Sequence, residues 1–146
     1  MFNKKFEQFE VNETWKSRGR TITESDLVMF SAFSGDWYPL HADKEYAEKC
    51  TPFKQRIAHG MLVLSVGTGL LQMEPEVVVA FYGIEKLRFI NPTFINDTVH
   101  LELEVIDLKD KGNGTGVITF NQKIVKQTGE TVVTAILKML ANKEAN

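Results

Sequence analysis

Apolar residues recur at helical spacing in the first half of the chain and alternate with polar ones in the second, so a helical front half and a strand-rich back half are predicted. Thr23 followed by Asp26 has the form of a capping box, and Leu27, Phe30 and Phe33 then recur at helical intervals until Gly35, predicting a short amphipathic helix. Asp36 to Leu40 reads as a loop, because Pro39 lacks a backbone donor and holds Tyr38 extended. Asp43 to Lys49 fits a second short helix. From Gly60 to about Met73 the apolar residues Met61, Leu62, Val63, Leu64, Val66, Leu70 and Leu71 leave no charged face, which predicts a helix buried on all sides. After Pro75 the period changes. Val77 to Ile84 is β-rich, Leu101, Leu103 and Val105 alternate with Glu102 and Glu104, and the runs Val117 to Val125 and Thr131 to Leu140 follow. With a strand expected near Phe9 to Trp15, about five mainly antiparallel strands are available to wrap one long helix. Gly112-Asn113-Gly114 marks a hairpin. The expected fold class is α+β: a single domain, residues 1–146, in which a curved sheet encloses a buried helix.

Composition narrows the function classes. With 146 residues, 43% hydrophobic and 25% charged, the chain can bury a sizeable core. A net charge of −2 provides no global field for nucleic acid or an anionic membrane, so no partner of either kind is expected. Met1 to Glu7 has no apolar signal core, and the greasy stretch Met61 to Leu71 is broken by Ser65, Gly67, Thr68 and Gly69, so neither secretion nor a membrane span is expected. Cys50 is the only cysteine, which rules out an intrachain disulfide and makes a cytoplasmic location the expectation.

Polar residues cluster in Ser34-Gly35-Asp36-Trp37-Tyr38-Pro39-Leu40-His41, and His59-Gly60-Met61 follows eighteen residues after His41. A carboxylate and an imidazole five residues apart on a proline-stiffened loop can converge on one water. Gly60 would begin the buried helix, where unpaired N–H groups favour developing negative charge and a missing side chain admits a carbonyl oxygen. These are the parts needed to add water to a double bond conjugated to a thioester. Structural readings compete: Asp36 can cap a turn, His59 can satisfy backbone groups at the helix start, and Gly60 can serve close packing. Met61 and Met73 read as core. His41, Asp43, Glu45 and His59 match no metal-ligand spacing, so no metal is expected. Lys54, Arg56, Lys86 and Arg88 are candidates to meet a carrier's phosphates, although exposed basic residues are normally just solvated surface.

The stretch from Ser34 to Asp43, then Ala47, then Ile57-Ala58-His59-Gly60-Met61, resembles the hydratase signature of MaoC-like proteins. The resemblance implies the hot-dog fold. It implies that Asp36 and His41 position and deprotonate water, that the Gly60 N–H faces the thioester oxygen, and that Thr68 is the supporting hydroxyl of the central helix. Pro39 and His59 fall on signature positions, while Tyr38 stands where the family usually has Asn. Taken together, the residues and the resemblance predict a lyase: (R)-specific hydration or dehydration of a trans-2-enoyl thioester, as in fatty acid metabolism. Coenzyme A or phosphopantetheine would be the substrate's carrier, and no cofactor is required. A homodimer or higher homo-oligomer is expected, because a single curved sheet leaves an edge and a cleft to cover. Two other functions fit the same fold. A thioesterase would carry its carboxylate on or beside the central helix, and none lies between Gly60 and Gln72. An inactive acyl-thioester-binding subunit would not need both Asp36 and His41.

Overall fold

A computed structural model describes residues 1–144. The alternating second half forms four long strands: β3 (Val78–Phe89), β4 (Thr98–Asp110), β5 (Thr115–Lys126) and β6 (Thr131–Asn142). Two short strands, β1 (Thr14–Lys16) and β2 (Arg20–Thr21), both pair with β4. The sheet runs β1-β4-β5-β6-β3, antiparallel at every pairing, and has six strands where the sequence predicted about five. The predicted hairpin joins β4 to β5, with Gly112 at φ 72° and Gly114 at φ 77°, in the left-handed region that glycine enters without strain.

The alternation decides which face is core. Val99, Leu101, Leu103 and Val105 of β4 are fully or almost fully buried, while His100, Glu102 and Glu104 between them are only half-buried. Ile118, Phe120 and Ile124 of β5 and Val133, Leu137 and Met139 of β6 continue that inner face. The sheet curves around helix α4 (Gly60–Gly69), which buries Leu62, Val63 and Leu64 in the same core, giving the hot-dog fold. Helix and sheet approach closely: a Cβ on Gly67 would lie 2.6 Å from Ile124 Cδ1.

Five expectations need correction. The central helix ends at Gly69 rather than near Met73, with Leu70 as its C-cap, because the glycines at 67 and 69 weaken the last turn. It is not buried all round either, since Met61 is 53% exposed and Ser65 and Gly69, four and eight residues on, open the same stripe to solvent. In α1 (Glu24–Ser34) Leu27 is buried and Phe30 packs against the core, but Phe33 is 91% exposed, so the apolar stripe does not continue to the last turn. The strand expected near Phe9 to Trp15 begins only at Thr14, as β1, and a 3₁₀ turn at Phe6–Gln8 precedes it. Phe9 is drawn inward to pack on Phe2 and Phe120, and Asn12 at φ 72° turns the chain before Thr14. The β-rich run from Val77 extends beyond Ile84 to Phe89 and carries bulges. Among the described residues no helix is long and apolar enough to cross a membrane.

Two connections position the site. Between β2 and α4 the chain forms α1, the single turn α2 (Pro39–Ala42) and α3 (Lys44–Cys50). Between β3 and β4, the loop at 90–97 is tied to the segment before α4 by an antiparallel bridge, Ile57 to Phe94.

Candidate active site

The loop carrying Asp36 is fixed from both ends by local sequence. The Thr23 side chain accepts from Asp26 N and the Asp26 carboxylate accepts from Thr23 N, so the predicted capping box closes the start of α1 and contributes about 1 kcal/mol. Arg20 also holds Asp26, depressing its carboxyl to about 2. At the other end Gly35 adopts φ 79° and its N–H donates to Ser31 O at 2.8 Å, a left-handed helix stop. Ser34 Oγ then accepts from Asp36 N at 3.2 Å, and Asp36 Oδ1 accepts from Tyr38 N at 3.2 Å. Asp36 thus caps a turn and still keeps an exposed carboxylate.

Pro39 is not loop but the first residue of α2, where its missing N–H costs nothing, and this turn presents His41. His41 Nδ1 donates to Ile57 O at 2.7 Å. A carbonyl only accepts, so in the neutral ring the hydrogen is on Nδ1 and the lone pair on Nε2 is free.

His59 precedes α4 and is only 2% exposed. Its Nε2 donates to Asp36 O at 3.1 Å and lies 3.0 Å from Ser31 Oγ, leaving Nδ1 with the lone pair. That Nδ1 is buried without a partner among the described residues, a cost on the order of 1–3 kcal/mol. Burial holds the His59 imidazole below its usual pKa, and the nearby His41 acts in the same direction. The two imidazoles stack with centroids 4.0 Å apart and planes 27° from parallel, and Phe30 covers His59 at 4.9 Å.

Asp36, His41 and His59 bring one polar atom each to within 4.8 Å of one another, the one such group of possible metal ligands among the described residues. Near-parallel rings aim their in-plane lone pairs side by side rather than at one ion, and His59 Nε2 is engaged with Asp36 O. Proton transfer suits this set better than coordination. Asp43 caps α3 through Tyr46 N, and Glu45 pairs with Lys49, so neither joins the cluster.

The cluster opens onto a cleft of about 280 Å³ whose other polar contributors are Asn91 and Thr93 and whose apolar walls include Val63, Phe89, Val132 and Val133. Gly60 lies in its lining at the start of α4. The first helical bond is Val63 N to His59 O, so the N–H groups of Gly60, Met61 and Leu62 have no partner among the described residues. A Cβ on Gly60 would fall 2.7 Å from the Phe89 ring, so glycine also serves the close packing here.

Tyr38, Pro39 and Thr68 are not in the lining. Tyr38 meets the Tyr46 hydroxyl at 3.4 Å and sits edge-on to His41 at 6.2 Å, outside the cleft. Thr68 Oγ1 bonds back to Leu64 O at 3.2 Å. Arg56 pairs with Glu24 and Arg88 bonds to Leu87 O. Asn91 and Thr93 escaped the sequence reading. The Asn-Pro dipeptide after a β-rich run signals a turn, and nothing in it distinguishes a turn beside a cleft from any other.

Comparison with known proteins gives the family and the fold. The pattern of the MaoC like domain family matches residues 6–128. An (R)-specific enoyl-CoA hydratase of Aeromonas caviae is 33% identical over 117 residues, covering 79% of this chain and 84% of that protein. Protein MaoC of Klebsiella aerogenes is 37% identical over 103 residues, which are 70% of this chain but only 30% of the longer relative. A solved Archaeoglobus structure, described as a monoamine oxidase regulatory protein, superposes with a TM-score of 0.90 at 37% identity, covering 97% of this chain and 95% of that one.

Proposed function

The chain belongs to the MaoC-like domain family, and from that premise we propose that it catalyses reversible syn hydration of a trans-2-enoyl thioester to the (R)-3-hydroxyacyl thioester. The observation that carries this reading is the convergence of the Asp36 carboxylate with His41, whose Nδ1 is committed to Ile57 O, beside the unbonded N–H groups that start α4.

His41 Nε2 takes a proton from a water whose other hydrogen is held by Asp36. The water oxygen bonds to C3 as the double-bond electrons move toward the thioester, and the negative charge on its oxygen is met by the Gly60 N–H. The imidazolium then returns the proton to C2 on the same face. Water is added with no change in oxidation state, so the reaction calls for no redox group. His59 supports the reaction by fixing the Asp36 main chain and the His41 ring. Coenzyme A or phosphopantetheine enters as the substrate's carrier.

The active unit is a homo-oligomer, dimeric or larger. β3 pairs on one side only, with β6, and exposes Val79, Phe81, Tyr82 and Phe89, an apolar edge suited to a second copy. Phe89 also lines the cleft, so a partner seated there would complete its wall. The proposed location is the cytoplasm, in keeping with the single free Cys50.

The test is turnover of crotonyl, octenoyl and branched enoyl thioesters, followed by loss of enoyl absorbance. Tight binding without turnover of any of them would instead favour an acyl-thioester-binding subunit.

A further inference from the structure

Residues 91–93 form part of the cleft wall, and each is pinned to a different element. Asn91 Nδ2 donates to Thr131 O at 2.8 Å, and Ala58 N donates to Thr93 O at 2.8 Å. Between them, Lys126 Nζ donates to Pro92 O at 3.1 Å, with the lysine itself buried against Glu130 at 2.6 Å and Asp97 at 3.5 Å.

Thr93 is 3% exposed and lines the cleft, and its hydroxyl has no hydrogen-bond partner among the described residues. It is not sealed off, because His59 Nδ1 is the one fully enclosed side-chain nitrogen or oxygen left without a partner there. With Thr93 in the cleft wall, the cleft is where a partner for that hydroxyl can enter. Threonine has the shape of valine with a hydroxyl that can donate one hydrogen bond, here left for a group that enters the cleft. A free hydroxyl on a segment whose main chain is tied at Pro92 O and Thr93 O, and whose Asn91 side chain is tied to Thr131 O, is held in place for a ligand.

We propose that Thr93 is a substrate-contacting residue whose hydroxyl donates a hydrogen bond to an oxygen of the bound acyl thioester. The inference rests on the reading of the site as one for acyl thioesters. Two oxygens have the required chemistry: the thioester carbonyl and the hydroxyl on C3 of the hydrated form.

The experiment compares wild type, Thr93→Val and Thr93→Ser in enoyl-thioester turnover, in thermal unfolding, and in calorimetric binding of butyryl-CoA and 3-hydroxybutyryl-CoA. Loss of one neutral hydrogen bond predicts that Thr93→Val loses about tenfold in kcat/KM while its melting temperature equals or exceeds that of wild type. Thr93→Ser stays near wild type. Weaker binding of 3-hydroxybutyryl-CoA alone assigns the contact to the C3 hydroxyl, and equal weakening of both ligands assigns it to the thioester oxygen. Thr93→Val that melts lower yet retains wild-type kinetics and binding overturns the inference and makes the hydroxyl structural. A wild type that neither turns over nor binds acyl thioesters removes the functional reading and this inference with it, an outcome distinct from an active wild type indifferent to the substitution.

Discussion

The packing of Gly60 and its proposed oxyanion role would be confounded by a single substitution, and the contact with Phe89 allows them to be separated. In Gly60→Ala the new Cβ would lie 2.7 and 2.8 Å from two ring carbons of Phe89. Ordinary contact begins near about 3.5 Å, so the ring must give way by the better part of an ångström. Phe89 is 50% exposed at the end of β3, so it can swing outward, which puts the cost at the low end of the about 1–3 kcal/mol typical of overpacking. Alanine recovers part of this, up to about 1 kcal/mol, through its better helix propensity. The net loss of stability is then small. The catalytic loss is larger if the methyl keeps the thioester oxygen from the Gly60 N–H, because removing one such donor costs about 2.7–4 kcal/mol, or about 10²–10³-fold in kcat. Saturating turnover and thermal unfolding should be measured for wild type, Gly60→Ala, Phe89→Ala and the double variant. The expected result is that Phe89→Ala relieves the unfolding defect of Gly60→Ala but not its defect in kcat. Recovery of kcat in the double variant relative to Phe89→Ala, or near-normal kcat in Gly60→Ala itself, would refute the oxyanion role and leave only packing.

Asp36→Asn and His41→Ala should each lower turnover by about 10²–10⁴-fold with little change in melting temperature, and if both act on one water, as proposed, the double variant should lose far less than the product of the two. His59 is held below its usual pKa by burial, so the folded state resists protonating it; stability should be complete above about pH 6.5 and fall as the pH drops below that value. Melting temperatures recorded from pH 8 to 5 should show a shallower acid slope in His59→Gln than in wild type, and equal slopes would count against the assignment. Tyr82→Glu, which places a charge on the exposed apolar edge of β3, should shift light scattering from dimer or larger toward monomer; an unchanged mass would place the interface elsewhere.

Much of the fold was legible because its signals are local. Alternation at Leu101, Leu103 and Val105 needs only the pleat of a strand, and the Thr23 to Asp26 cap needs only one helical turn. Gly35 and the glycines of the β4–β5 hairpin announce backbone conformations that other residues avoid. Sequence pattern failed where a partner distant in the chain decided the outcome. Phe9 carries strand propensity, yet Phe2 and Phe120 draw it into the core and strand β1 starts later. Phe33 fits the helical period but finds no surface beneath it.

The same division runs through the candidate site. The residue types, their five-residue spacing and the proline at the start of α2 were fixed by sequence alone, because short-range geometry confines Asp36 and His41 to one loop and turn. Tertiary structure decided the chemistry those residues can perform. Ile57 O, sixteen positions away, selects which imidazole nitrogen of His41 is free. His59 reaches back twenty-three positions to hold Asp36 O while its other nitrogen is left unpaired. Thr93 entered the cleft, and Thr68 turned back to its own helix, for the same reason: where a side chain points is set by packing among distant strands and helices, which no local pattern of hydrophobic and polar residues encodes.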